Sequence, residues 1–231
     1  MIQNKAKEKN IIHLVQGPTS AHSSQRKHNH AVAPFNPPNL KLPKEWLKYG
    51  TAIGNLVEGT LFLPFKTPLH DDYYTKVLNR VKKEDEFRIE DIRQFCIKNR
   101  VTLGLVLDLT GTDRYYDANY WVDSGVSYIK IPSSGHEVHE NKHAILKFIK
   151  EVEKFWNVPK NKGKAIGVHC THGLNRTGYM ICRYMIEKMN VEPVDAIQRF
   201  QDARGYEMAR QEYVKHLMSL PSPKNSPNSD Q

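Results

Sequence analysis

An α/β fold, with a central, mostly parallel sheet flanked by helices on both faces, is predicted by three observations. Strand-like and helix-like segments alternate through the middle of the 231-residue chain. "LGLVLDLT" at 103–110 is a continuous apolar run of strand length, the pattern of a central strand in a parallel sheet. "KAIGVHC" at 164–170 is a second buried-type strand that runs into a polar, glycine-containing loop and then a long helix.

The elements follow in order. "GTLFLPFKTP" at 59–68 opens the domain as a short strand, and Pro64 and Pro68 place it at a sheet edge. "IEDIRQFCIKNR" has apolar residues at 89, 92, 95 and 96, so it forms a helix with Cys96 packed on its buried face. After the apolar run at 103–110, "GTDRYYDANYW" reads as a polar, aromatic loop, and "VSYIKI" at 126–131 as a strand. "HAILKFIKEVEKFW" carries apolar residues at 144, 145, 148, 149, 152, 155 and 156, an amphipathic helix. Beyond the strand at 164–170, "RTGYMICRYMIEKMN" aligns Met180, Ile181, Tyr184, Met185 and Met189 on one helical face, with Cys182 packed as a small apolar group. "PVDAIQRF" begins the next helix with Pro193 in its first turn, and "RQEYVKHLMSL" closes the domain. Residues 1–40 read as a disordered basic tail, in which His28 and His30 are solvated rather than metal-bound, and 222–231 as a second disordered tail. The folded domain is expected at 41–221.

Composition narrows the class. Hydrophobic residues make up 39% and aromatics 10%, enough to bury a core. The apolar runs fall far short of the ~20 residues that span a bilayer, and the N-terminus has no signal-peptide pattern, so an intracellular protein with no membrane partner is expected. Cys96, Cys170 and Cys182 have no framework spacing and read as free thiols. The net charge of +9 favours a polyanionic partner, although a merely soluble basic protein would carry it equally well.

The chemistry sits in "HCTHGLNRTG" at 169–178. A tight loop between a strand and a helix turns backbone N–H groups inward, and with the helix N-terminus these make an anion cradle. Gly173 permits the turn. Arg176 offers a planar fork for two phosphate oxygens. Cys170 at the mouth feels the same positive field, which lowers its pKa and makes it a nucleophile toward a bound phosphorus. Thr177 is placed to donate its hydroxyl to the thiolate. His169 reads as fixing the loop by hydrogen bonding rather than as a base.

This stretch resembles the active-site loop of the cysteine-dependent phosphatases of the protein-tyrosine and dual-specificity superfamily. Within that group it is similar to the RNA 5′-triphosphatase branch, which includes the triphosphatase domain of animal mRNA capping enzymes and stand-alone RNA-interacting phosphatases. "LVLDLTGTDRYYD", "YIKIPSSGHEV" and "IGVHCTHGLNRTGYMICRYMI" all contribute, and the resemblance runs from "WLKYG" to "YVKHL". It implies a protein-tyrosine-phosphatase-like fold, Cys170 as nucleophile and Arg176 as ligand of the transferring phosphate. It implies an N–H cradle from Thr171, His172, Gly173, Leu174 and Asn175, and a polyphosphate contact from Arg210. It also implies a role for Asp117, since the capping branch has an aspartate in a similar loop; a turn-capping role fits Asp117 equally.

The residues also discriminate among phosphates. Expelling a tyrosine phenolate, pKa ≈ 10, calls for a general acid. The superfamily usually supplies an aspartate from the loop matching "IPSSGHEVHENKH", which contains none; His136, Glu137 and Glu140 are its possible stand-ins. A phosphoanhydride expels a phosphate of pKa about 6 and needs little protonation. The expected activity is therefore an RNA 5′-polyphosphatase that removes γ and then β phosphate through a cysteinyl-phosphate, with no metal or other cofactor. The alternatives are γ-only removal of the capping type and a dual-specificity protein phosphatase. Arg114, Lys130 and Lys66 are candidates to widen the positive site, and Tyr115 and Tyr116 either stack an RNA base or pack. The expected partners are 5′-triphosphate or 5′-diphosphate RNA and RNA-processing or small-RNA protein complexes. The chain is expected to be monomeric and to reside in the nucleus, the cytoplasm or both.

Overall fold

The computed structural model describes residues 40–77, 82–133 and 137–221. The expected tails, with His28 and His30, lie outside these residues, as does His136. All the described residues belong to one compact unit.

Four strands, β1 (Phe62–Lys66), β2 (Leu103–Asp108), β3 (Ser127–Lys130) and β4 (Ala165–Cys170), pair entirely in parallel in the order β1-β4-β2-β3. The apolar runs take the central places, because every residue of β4 and nearly every residue of β2 is covered on both faces. Pro64 sits on the edge strand β1, where its missing N–H costs no ladder bond. The outer edge of β1 is itself covered: Gly54 N–H donates to the Pro64 carbonyl at 2.8 Å, and Lys66 N–H to the Ala52 carbonyl at 2.9 Å.

Helices α1 (Ile89–Lys98), α2 (Asn119–Asp123), α3 (Lys142–Trp156), α4 (Asn175–Met189), α5 (Pro193–Arg204) and α6 (Gln211–Met218) cover the sheet. One core joins α3 to α6 through Phe148, Tyr184, Met185, Phe200 and Tyr213. The opposite core joins α1 and α2 to the segment before β2 through Trp46, Phe65, Tyr73, Ile92 and Trp121. Helices thus lie on both faces, and every strand ends at the same edge of the sheet, where open α/β sheets bind ligands.

Two local expectations need correction. "GTDRYYDANYW" is not loop throughout: it runs into α2, whose first N–H, that of Asn119, is accepted by the Asp117 carboxylate at 2.9 Å. Met189 is 37% exposed rather than on the buried face. It is the last residue before Asn190, whose left-handed conformation ends α4. The buried surface of α4 instead wraps round to Tyr179, Cys182 and Ile186, because the sheet and the neighbouring helices enclose it.

Gly178 shows how close that packing is. A Cβ there would lie 2.5 Å from Phe200 Cε1 and 2.7 Å from Met208 Sδ. Gly178→Val is therefore expected to overpack the α4–α5 contact and destabilise the fold by roughly 1–3 kcal/mol, read as a lower urea midpoint at unchanged slope.

Candidate active site

β4 delivers Cys170 to the end of the sheet, and α4 begins five residues later at Asn175. The turn between them closes because Gly173 takes φ +66°. A Cβ at that position would also collide with the Phe65 carbonyl of β1, so only glycine fits.

Each outward carbonyl of the turn has a donor. The Thr171 carbonyl accepts from Thr67 N–H at 3.2 Å and the Leu174 carbonyl from Gly178 N–H at 2.7 Å. The His172 and Gly173 carbonyls both accept from the guanidinium of Arg204, through Nη2 and Nε at 3.1 Å each, while its Nη1 reaches the Thr51 carbonyl at 2.8 Å. Arg204 is fully buried, and burial lowers its pKa to about 10, so it stays charged at neutral pH. With the carbonyls committed outward, the N–H groups face the Cys170 side.

Cys170 is 3% exposed. Burial alone would raise its thiol. The charge of Arg176, the Thr177 hydroxyl and the N–H groups of Thr177 and Leu174 more than offset that, and hold the thiol below its ordinary range. The Thr177 hydroxyl has no other hydrogen-bond partner among the described residues. His169 is fully buried, stacked on Phe65, and hydrogen-bonded through Nε2 to the Tyr116 hydroxyl at 2.7 Å. Burial lowers its pKa, so the ring is neutral.

Arg176 spans the site. Its Nη1 donates to the Leu109 carbonyl at 2.8 Å and the Ser133 carbonyl at 3.0 Å, and its Nη2 donates to Thr171 Oγ1 at 2.9 Å. These bonds fix the guanidinium plane with three of its five N–H donors, leaving two for an anion. A cavity of about 340 Å³ opens over the loop, lined by Glu45, Lys48, Tyr49, Cys170, Thr171, His172, Asn175, Arg176, Ala209 and Arg210. Arg210 caps α6, and its backbone N–H donates to Asn175 Oδ1 at 2.9 Å, which joins it to the loop. The structure thus brings together Cys170, Thr171, His172, Asn175, Arg176 and Arg210, with Gly173 and Leu174 beneath them.

Other expected residues lie elsewhere. Asp117 and Arg114 are not among the residues lining this cavity. Asp117 caps α2 and faces a separate cavity with Tyr115, Tyr116 and Tyr128. The Arg114 guanidinium lies over the Tyr115 ring, 5.2 Å from its centre. Lys130 is held by the Asp108 carboxylate at 3.0 Å, Asp113 at 2.9 Å and the Thr112 carbonyl at 2.6 Å. Lys66 is buried over the Trp46 ring and donates to the Tyr49 carbonyl at 3.1 Å; burial and the charge of Arg204 lower its pKa to about 8. Tyr115 and Tyr116 are packing residues, each under 9% exposed. Glu137 and Glu140 also lie outside the cavity lining, and Glu140 pairs with His139 at 3.7 Å.

Three contributors were not anticipated. Arg204 supports the loop, and Glu45, Lys48 and Tyr49 form part of the cavity wall. The third is Asp108, buried at the end of β2, which accepts from Thr110 N–H at 2.7 Å, the Tyr128 hydroxyl at 2.8 Å and Lys130. Burial would raise its carboxyl, but the charge of Lys130 and the Thr110 N–H hold it below the usual range. The only signal for it was its place as the one acid ending an apolar strand.

Comparison with known proteins places this geometry. The family profile described as "Dual specificity phosphatase, catalytic domain" matches residues 89–222. An RNA/RNP complex-1-interacting phosphatase homolog from Caenorhabditis elegans is 44% identical over 180 residues, 78% of this chain and 76% of that protein. The human RNA/RNP complex-1-interacting phosphatase is 40% identical over 184 residues, 80% of this chain and 54% of that protein. The chain therefore spans about three quarters of the nematode relative and little more than half of the human one. Among solved structures, a protein tyrosine phosphatase from Leishmania major superposes with a TM-score of 0.52 at 14% identity, covering 74% of this chain and 98% of that one.

The electrostatics make alkylation a direct probe. Burial pushes the Cys96 thiol up to about 11 and raises Cys182 further, whereas Cys170 is lowered. A lowered thiol ionises at lower pH than an ordinary one, and it is protonated as pH falls through its folded value. As pH is raised, iodoacetate is therefore expected to label Cys170 before Cys96 and Cys182, by peptide mapping. Arg176→Ala is expected to move the pH midpoint of that labelling upward.

Proposed function

The chain belongs to the dual-specificity phosphatase family of cysteine phosphatases, and from that premise we propose that it is an RNA 5′-polyphosphatase. It removes γ and then β phosphate from a triphosphate end and leaves a 5′-monophosphate. The observation that carries this reading is the composition of the catalytic cavity. Among the described residues its only lining carboxylate is Glu45, at an exposed position and paired with Lys48 at 3.8 Å. Residues 134–136, next to Ser133, are Ser-Gly-His and contain no acid. A site with no placed carboxylic acid among its described residues suits a leaving group that needs no proton, which a phosphoanhydride provides and a phenolate does not. Relatives named for interaction with an RNA/RNP complex support the same choice of substrate.

In the first step the Cys170 thiolate attacks the terminal phosphorus in line. The sulfur–phosphorus bond forms, and the bond to the bridging oxygen breaks with its electron pair on the departing RNA polyphosphate. The cradle N–H groups and Arg176 hold the equatorial oxygens, where negative charge is spread. Thr177 steadies the thiolate before attack and after release. In the second step water attacks the cysteinyl-phosphate, its proton passes to the phosphate or solvent, and inorganic phosphate leaves with the thiolate restored. The positive charge comes from Arg176 and the backbone, so no metal enters either step.

Phosphate release from triphosphate-ended RNA is expected to exceed release from a phosphotyrosine peptide by orders of magnitude, to survive EDTA, and to end at 5′-monophosphate RNA. Comparable turnover of the peptide would favour the protein-phosphatase activity for which viral relatives are named. Accumulation of 5′-diphosphate RNA would favour γ-only removal. Cys170→Ser is expected to abolish turnover while retaining RNA binding. Arg176→Lys is expected to cost at least about 100-fold in kcat/KM, since an ammonium cannot replace the bidentate fork.

A further inference from the structure

The wall of the cavity beside the catalytic loop includes an aromatic residue on a pinned turn. Tyr49 lines the cavity beside Cys170 and Arg176. Its ring centroid lies 5.3 Å from that of His172 in the loop and 5.3 Å from that of Tyr206, which it meets edge-on. The exposed Lys48 ammonium lies 5.7 Å from the same ring centre. Three hydrogen bonds fix the turn: His172 Nε2 to the Lys44 carbonyl at 2.8 Å, Trp46 Nε1 to the Thr67 carbonyl at 2.9 Å, and Lys66 Nζ to the Tyr49 carbonyl at 3.1 Å. Glu45 at its start is held at φ +58°, a conformation a non-glycine residue adopts only under constraint.

This arrangement is more than a lid on a phosphate pocket. A phosphate group alone is satisfied by the cradle and the guanidinium. A half-buried ring with a cation beside it, at the mouth of that cradle, is chemically matched to a planar base carried at the end of a polyphosphate. Because the ring is already fixed by His172, Tyr206 and the turn, stacking on it loses little side-chain entropy.

Resting on the RNA 5′-polyphosphatase reading above, we propose that Tyr49, with Lys48 beside it, is the stacking subsite for the first base of the substrate. The site then reads its substrate at two points: phosphates in the loop and a base on the wall beside it. Stacking tolerates any base, so the subsite selects nucleotide-linked polyphosphate over free polyphosphate without selecting sequence.

The test compares kcat/KM for triphosphate-ended RNA and for inorganic tripolyphosphate, which has the phosphates and no base. Tyr49→Ala is expected to lower the ratio of the two about tenfold, and Tyr49→Trp to restore it. Damage to the loop lowers both rates together and leaves the ratio unchanged. An unchanged ratio in Tyr49→Ala would therefore overturn the subsite while leaving the polyphosphatase reading intact. Wild-type protein that hydrolyses neither anhydride overturns both.

Discussion

A backbone loop that turns its N–H groups toward one point must send its carbonyls the other way, and buried carbonyls need donors. The catalytic end of this molecule is organised around that constraint. Gly173 makes the reversal sterically possible against the Phe65 carbonyl. Arg204 makes it energetically possible by accepting the burial of a guanidinium in order to serve His172, Gly173 and Thr51 at once. Thr67 and Gly178 complete the set from β1's continuation and from α4. The two arginines divide the labour. Arg204 works behind the loop on its carbonyls, and Arg176 works in front, anchored on Leu109 and Ser133.

The same end of the sheet carries a second buried polar assembly. Asp108 on β2, Lys130 on β3 and His169 on β4 come together with Tyr116 and Tyr128. Each of these three strands thereby contributes a polar group that meets a neighbour on another strand, which ties the strand ends in register. On β4 itself, His169 is followed directly by Cys170. The thiolate is therefore stabilised in front by charge and N–H groups, and positioned from behind by a neutral ring packed on Phe65.

Much of this was legible in the chain. Apolar runs and helical periodicity located the strands and helices, because burial on a sheet imposes those patterns directly. Cys170, Arg176 and the intervening turn were legible because a strand, a glycine and a helix start leave few ways to arrange backbone donors. Arg204 was not, since a lone arginine at a helix end looks like a solvated charge and its partners are backbone carbonyls that no sequence pattern marks. In the chain Lys66 and Lys130 are marked by their sign alone, whereas in the fold one lies over an indole and the other answers buried Asp108. For Asp117 resemblance and turn capping point different ways, and in the fold its carboxylate accepts the Asn119 N–H. Tyr49 reaches the site only through long-range pairing of its turn with the loop, which local periodicity does not register.

The cover on β1 carries a consequence for handling the protein. The family profile begins at residue 89, yet β1 and residues 40–57 lie before that point. A fragment cut to the profile would lose the edge strand, its covering segment and the tyrosine wall together. β4, with every residue buried and Cys170 at its tip, would become a bare sheet edge of unpaired backbone groups. Such an edge is a template for intermolecular strand addition. The shortened chain would therefore aggregate through the very strand that presents Cys170, so its loss of solubility and the loss of its loop would share one cause.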